Sequence, residues 1–222
     1  MPAFARAVAM GFRYLETDAH VTADGVLVAF HDDVLDRVTD RTGRISELPW
    51  AEVSEVRVEG EPIPRLGDLL DAFPGARINI DPKHDDAVAP LAELLLRMGA
   101  VERVGIGSFS DQRLAELRRR CGPRLCTSLG PRGVARLKAA ACGVPVGRFA
   151  APCVQVPVHS RGVTIVDERT VAAAHRRDMQ VHVWTIDDAP EMHRLIDLGV
   201  DGIMTDRPAV LKEVLESRGL WS

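Results

Sequence analysis

Short apolar runs alternate along this chain with segments whose apolar residues recur every three or four positions. The runs, rich in β-branched residues, read as buried strands, and the periodic segments as amphipathic helices. ARINID (Ala76 to Asp81) precedes DDAVAPLAELLLRMGA, RVGIGSF (Arg103 to Phe109) precedes SDQRLAELRRRCG, and LCTSL (Leu125 to Leu129) precedes PRGVARLKAAACG. CVQVPV, QVHVWTI and GIMTD lead into helical patterns in the same way. Ser110 suits an N-cap and Gly122 a C′ stop for the helix between them. Strands alternating with helices predict parallel pairing through βαβ units. With FRYLETD as the opening strand the chain holds about seven such units, close to the eight of a TIM-type (β/α) barrel. A doubly wound open sheet is the rival architecture, but no G-x-G-x-x-G follows any strand.

The alternation breaks in two places. PAFARAVAMG (Pro2 to Gly11) reads as a helix ending on a glycine, whereas a barrel opens on a strand, so strand one is expected to be missing from this chain. Val34 to Arg65 carries Pro49, Gly60, Pro62 and Pro64 with little periodicity, and is expected to be an insertion over one barrel end. The expectation is one domain over residues 1–222 with a small insertion at about 34–65.

Composition narrows the function classes. A hydrophobic content of 46% across 222 residues suffices for a packed core, which excludes disordered and fibrous classes. The net charge of −4 gives no reason to expect a nucleic-acid partner. Cys121, Cys126, Cys142 and Cys153 form no C-x-x-C pair, which argues against structural zinc and for thiols in a reducing, cytoplasmic compartment. No apolar run approaches the roughly 18 residues of a spanning helix, and Met1-Pro2-Ala3-Phe4 does not open a signal peptide. The composition does not indicate an oligomeric state.

The candidate chemistry lies in YLETDAHVTADGVLVAFHDD, Tyr14 to Asp33. Strand side chains at i, i+2 and i+4 share a face, so Glu16, Asp18 and His20 project together. Carboxylates converging at a barrel strand end repel one another unless a cation compensates them, and hard Mg²⁺ or Ca²⁺ suits their oxygens. The bland alternative is a solvated strand face. A second acidic strand end, ARINIDPKH, favours the chemical reading: Asp81 would complete a three-carboxylate set and Lys83 would meet an anionic substrate group. His31 closes the run VLVAF beyond an Asp24-Gly25 turn, where an imidazole could exchange protons near neutral pH. Asp32 and Asp33 read as hydrogen-bonding turn residues. Trp184 lies near another strand end, with pocket lining and core packing equally open to it.

These residues carry a resemblance. Glu16 and Asp18, Thr22-Ala23-Asp24-Gly25, His31-Asp32, Leu35, Arg37, Thr39 and Gly43 resemble the E-x-D, T-x-D-G, H-D, L-x-R-x-T and glycine signature of the glycerophosphodiester phosphodiesterase family. IPRLGDLL, NIDPK, Ser108-Phe109, VWTI and GVDGIMTDRP continue the likeness in order through nearly the whole chain. The resemblance implies a barrel that hydrolyses glycerophosphodiesters, such as glycerophosphocholine, to glycerol 3-phosphate and an alcohol. It implies divalent-metal ligands at Glu16, Asp18 and Asp81, a catalytic histidine at His31, a phosphate neighbour at Lys83 and a pocket aromatic at Trp184. Asp81 stands where the family usually has glutamate. The family's other catalytic histidine belongs to an H-R-G segment that these 222 residues lack, so impaired activity of this chain is part of the expectation. Two other classes stay open: a non-catalytic barrel that binds metal or phosphodiester, and a phospholipase-D-like lipid hydrolase on the same barrel.

Overall fold

The computed structural model describes residues 1–221. Its elements run α1 (Pro2–Ala9), β1 (Tyr14–Val21), β2 (Leu27–Ala29), α2 (Trp50–Val53), β3 (Arg57–Val58), β4 (Glu61–Pro62), α3 (Leu66–Ala72), β5 (Arg77–Pro82), α4 (Val88–Arg97), β6 (Val104–Ile106), α5 (Asp111–Cys121) and β7 (Cys126–Thr127). They continue as α6 (Pro131–Ala141), β8 (Cys153–Pro157), β9 (His159–Ser160), β10 (Val163–Thr164), α7 (Glu168–His175), β11 (Gln180–Trp184), α8 (Ala189–Leu198), β12 (Gly202–Ile203) and α9 (Pro208–Ser217). Two compact units divide the chain, Met1–Cys126 and Thr127–Ser222.

In the first unit the strands stand in the order β2-β1-β5-β6, with β7 where the unit ends. β1 and β5 are parallel with Leu15 opposite Ile78, Glu16 opposite Asn79 and Asp18 opposite Asp81, whereas β2 folds back antiparallel on β1. The alternation expected of β1 appears at its start, where Leu15 is buried between exposed Tyr14 and Glu16; from Thr17 onward both faces are covered. Helix α4 shows the i, i+3, i+4, i+7 stripe: Val88, Leu91, Ala92 and Leu95 are buried in one core with Ile78, Ile80 and Leu15. Each such leucine or isoleucine contributes roughly 1.5–3 kcal/mol by leaving water. Ser110 caps α5 through Arg113 N–H, and Gly122 ends it at φ +81°.

The segment expected as an insertion has a small core of its own. Leu35, Ile45, Val53, Val56 and Ile63 pack with Val28 of β2. Backbone bonds tie the segment back, Leu35 N–H donating to Gly43 C=O at 2.9 Å and Ile45 N–H to Asp33 C=O at 3.1 Å. Gly43 takes a φ of +126°, which side chains rarely tolerate. The second unit is built on the parallel order β12-β11-β8, with β9 and β10 a short hairpin. Its helices α7 and α8 are capped by Asp167 and Asp188. The C-terminal strand, expected as GIMTD, is short, covering Gly202–Ile203.

Candidate active site

The turn after β1 sets the site's geometry. Thr22 Oγ1 donates to Asp24 Oδ1 at 2.6 Å and accepts from Val26 N–H at 3.0 Å, while Asp24 Oδ1 also accepts from Trp50 N–H at 2.9 Å. Gly25 sits at φ +86°. The T-x-D-G tetrapeptide is thus a chain reversal: the threonine and aspartate supply acceptors to the turn, and glycine supplies the left-handed backbone. The reversal returns the chain along β1, where Phe30 N–H donates to Asp18 C=O at 3.1 Å, and His31 follows directly.

Among the sequence candidates, Asp18, Asp81 and Lys83 come together. The two aspartates are register partners on β1 and β5, and Lys83 Nζ lies 2.6 Å from Asp18 Oδ1 and 3.5 Å from Asp81 Oδ2. All three side chains are largely covered. Burial first, and the nearby Asp18 charge second, push the Asp81 carboxyl up to about 6, against the opposing pull of Lys83 and Arg113. Burial alone would lower the Lys83 ammonium, but the carboxylates of Asp18 and Asp81 outweigh it and raise its pKa. Two facing carboxylates that share one ammonium form an anionic pair with hard oxygen donors. That donor set fits a divalent cation of the Mg²⁺ or Ca²⁺ type. Glu16 lies two residues before Asp18 on β1, exposed and opposite Asn79.

His31 is exposed, and its Nδ1–H donates to Asp32 Oδ1 at 2.5 Å. Arg37 forks onto the same carboxylate, Nε to Oδ2 at 2.6 Å and Nη2 to Oδ1 at 2.8 Å. The Arg37 bond first, and the His31 bond after it, hold the Asp32 carboxyl far below the usual carboxylate range. An ionised Asp32 fixes the ring tautomer with the proton on Nδ1, which leaves Nε2 as the exchangeable nitrogen. Asp32, expected as a hydrogen-bonding turn residue, takes its hydrogen bonds from His31 and from Arg37 of the L-x-R-x-T motif.

A group that sequence reasoning did not assemble lies beside this one. His20, Asp33 and His84 each offer a ligand atom, and these atoms lie within 4.8 Å of one another. His84 Nε2 meets Asp33 Oδ1 at 2.7 Å, and His20 Nδ1 lies 3.9 Å from the same oxygen. In the second unit Trp184 is the last residue of β11, half-buried and opposite Pro157 of β8. No helix among the described residues is long and apolar enough to cross a membrane.

Parallel strands linked through helices, with charged groups at the ends of β1 and β5, define an α/β framework, and the solved relatives of its family are TIM-type barrels. The model of the Glycerophosphoryl diester phosphodiesterase family matches residues 1–210, and the chain belongs to that family. A Mycobacterium tuberculosis relative, named "Probable glycerophosphodiester phosphodiesterase 2", is 39% identical over all of this chain and 86% of its own. A human relative named a lysophospholipase D is 26% identical over 98% of this chain and 81% of its own. A solved structure from Silicibacter pomeroyi has a TM-score of 0.83 at 26% identity, covering 99% of this chain and 88% of that one.

Proposed function

We propose that this chain hydrolyses glycerophosphodiesters to glycerol 3-phosphate and an alcohol, with His31 moving a proton and Glu16, Asp18 and Asp81 holding a divalent cation, Mg²⁺ or Ca²⁺. The observation that carries the reading is the pairing of Asp18 with Asp81 across Lys83, in a chain whose His31 imidazole is oriented by Asp32. A phosphodiester is an anion whose charge grows at the leaving oxygen as the bond breaks. When bound, the cation supplies charge neutralisation at a phosphoryl oxygen.

Lys83 is the mobile cationic arm of this arrangement: its ammonium leaves the Asp18–Asp81 pair for the substrate phosphate when the carboxylates are otherwise compensated. His31 Nε2 takes a proton from the attacking hydroxyl or water, or returns one to the leaving alcohol. The ionised Asp32 stabilises the imidazolium that forms on accepting a proton, and Arg37 keeps Asp32 ionised and in place. The free thiols of Cys121 and Cys142 support a reducing, cytoplasmic setting.

The test measures glycerol 3-phosphate release from glycerophosphocholine with Mg²⁺ or Ca²⁺, in the wild type and in His31→Ala. Turnover that falls roughly 10²–10⁴-fold in the variant supports the assignment. A folded, cation-binding chain that turns nothing over would make it a binding protein instead. The likeness to a human lysophospholipase D favours one further reading, cleavage of a lysophospholipid headgroup bond. Lysophosphatidylcholine in the same substrate panel decides between them: preferred choline release from it would move the substrate class to lipids.

A further inference from the structure

We infer that His20, Asp33 and His84 form a second cation site, distinct from the carboxylate set and selective for borderline transition-metal ions such as Zn²⁺ or Co²⁺. The inference stands apart from the proposed hydrolysis, because it depends on ligand chemistry alone.

The three residues come from three parts of the first unit: β1, the chain just after β2, and the chain just after β5. They line a cleft of about 140 Å³ together with Arg44, Ser46 and Asp86. At roughly 30 Å³ per water molecule the cleft holds an ion with a few waters. Nitrogen donors select zinc, cobalt, nickel or copper over magnesium and calcium, whereas the Asp18–Asp81 pair offers only oxygens.

The buried histidine is already arranged as a ligand. His20 is 3% exposed, and its Nε2–H donates to His31 C=O at 3.2 Å. Its Nδ1 lone pair therefore faces Asp33 Oδ1, 3.9 Å away and beyond hydrogen-bond reach. A second ring nitrogen donated to a backbone carbonyl is how metal-binding histidines are commonly held, since it fixes both the tautomer and the ring orientation. His84 reaches the same aspartate oxygen from the other side at 2.7 Å, and the two rings lie 5.5 Å apart, tilted by 49°. Tetrahedral bonds of about 2.0–2.2 Å set ligand atoms roughly 3.3–3.6 Å apart, so the His84–Asp33 side, at 2.7 Å, must open while the His20–Asp33 side, at 3.9 Å, closes.

Two adjustments accompany binding. His84 Nε2 donates its proton to Asp33 in the empty site, so His84 must move that proton to Nδ1 or release it. Arg44 Nη1 lies 3.3 Å from Asp33 Oδ2 and opposes a cation there, but it is 45% exposed and can swing into solvent. Asp86 in the lining partly offsets it.

The experiment titrates chelator-stripped protein with Co²⁺ and follows the visible absorption band of imidazole-bound cobalt. Zn²⁺ competition then gives the affinity. The expected result is one Co²⁺ equivalent with that band in the wild type, retained in Asp81→Asn and not displaced by excess Mg²⁺ or Ca²⁺. His84→Ala should weaken it at least ~10-fold. Circular dichroism melting checks that His84→Ala is folded; if it is not, Asp33→Ala at the same site decides. A cobalt band absent from the wild type overturns the site. So does a band of unchanged affinity in the folded variant, since the ion would then lie on other histidines.

Discussion

Replacing Asp32 by asparagine tests the His31 assignment without touching the imidazole. Oδ1 of Asp32 receives both His31 Nδ1–H, at 2.5 Å, and Arg37 Nη2, at 2.8 Å, while Oδ2 receives Arg37 Nε at 2.6 Å. An amide offers one acceptor oxygen where the carboxylate offered two. Arg37 presents only donors, so it competes for that oxygen and turns the NH₂ group toward His31. The ring then favours the tautomer with its proton on Nε2, which cannot accept one there. Hydrogen bonds to charged partners contribute roughly 1.5–3 kcal/mol. The His31 side chain is 72% exposed, so solvent screens the interaction and about 1–2 kcal/mol is the appropriate range. At about 1.36 kcal/mol per tenfold in rate, kcat should fall about 5–30-fold.

The assay couples glycerol 3-phosphate release to its dehydrogenase, with kcat and KM separated. A kcat within twofold of wild type, or a loss confined to KM, would refute the claim that Asp32 holds the proton-transferring tautomer. A melting temperature near that of the wild type is required for the comparison, because a general loss of structure would also lower kcat.

Two further expectations concern the second unit. Burial holds the His182 imidazole below its ordinary value of 6.5, despite the opposing charge of Asp201. The folded ring therefore resists protonation, its stabilising neutrality is complete above pH 6.5, and that contribution is lost as pH falls below 6.5 because the unfolded chain gains the proton. The urea midpoint should fall more between pH 7.5 and 5.5 in the wild type than in His182→Asn, and parallel losses would show that His182 is not responsible. Gly202 of β12 faces the same ring: a Cβ there would lie 2.9 Å from His182 Cδ2 and 3.3 Å from Cγ. Gly202→Ala should cost roughly 1–3 kcal/mol of unfolding free energy, part of it recovered in the double variant with His182→Ala; strictly additive losses would place the strain elsewhere.

What could be read from the sequence was whatever repeats along it. The period of α4 and the strand–helix alternation announced the framework, and the two-residue parity of β1 put Glu16, Asp18 and His20 on one face. The opposition of Asp18 and Asp81 is of another kind, since it depends on a parallel register between residues 63 positions apart, set by the burial of Leu15 against Ile78 and Thr17 against Ile80. The pattern showed that both segments were strands but carried nothing about their alignment. The same holds for Asp33, which joins His20 and His84 only because the Thr22–Asp24 turn returns the chain along β1. Asp81 shows how register and side-chain length combine. Its Cα lies opposite that of Asp18, yet Lys83 is 2.6 Å from one carboxylate and 3.5 Å from the other. The ammonium is therefore bonded chiefly to Asp18, and Asp81, buried and only partly compensated, is the carboxylate driven upward in pKa. A glutamate at position 81 would carry its charge one methylene further from the strand, so the aspartate changes how far this buried charge reaches while leaving its position in the sheet unchanged.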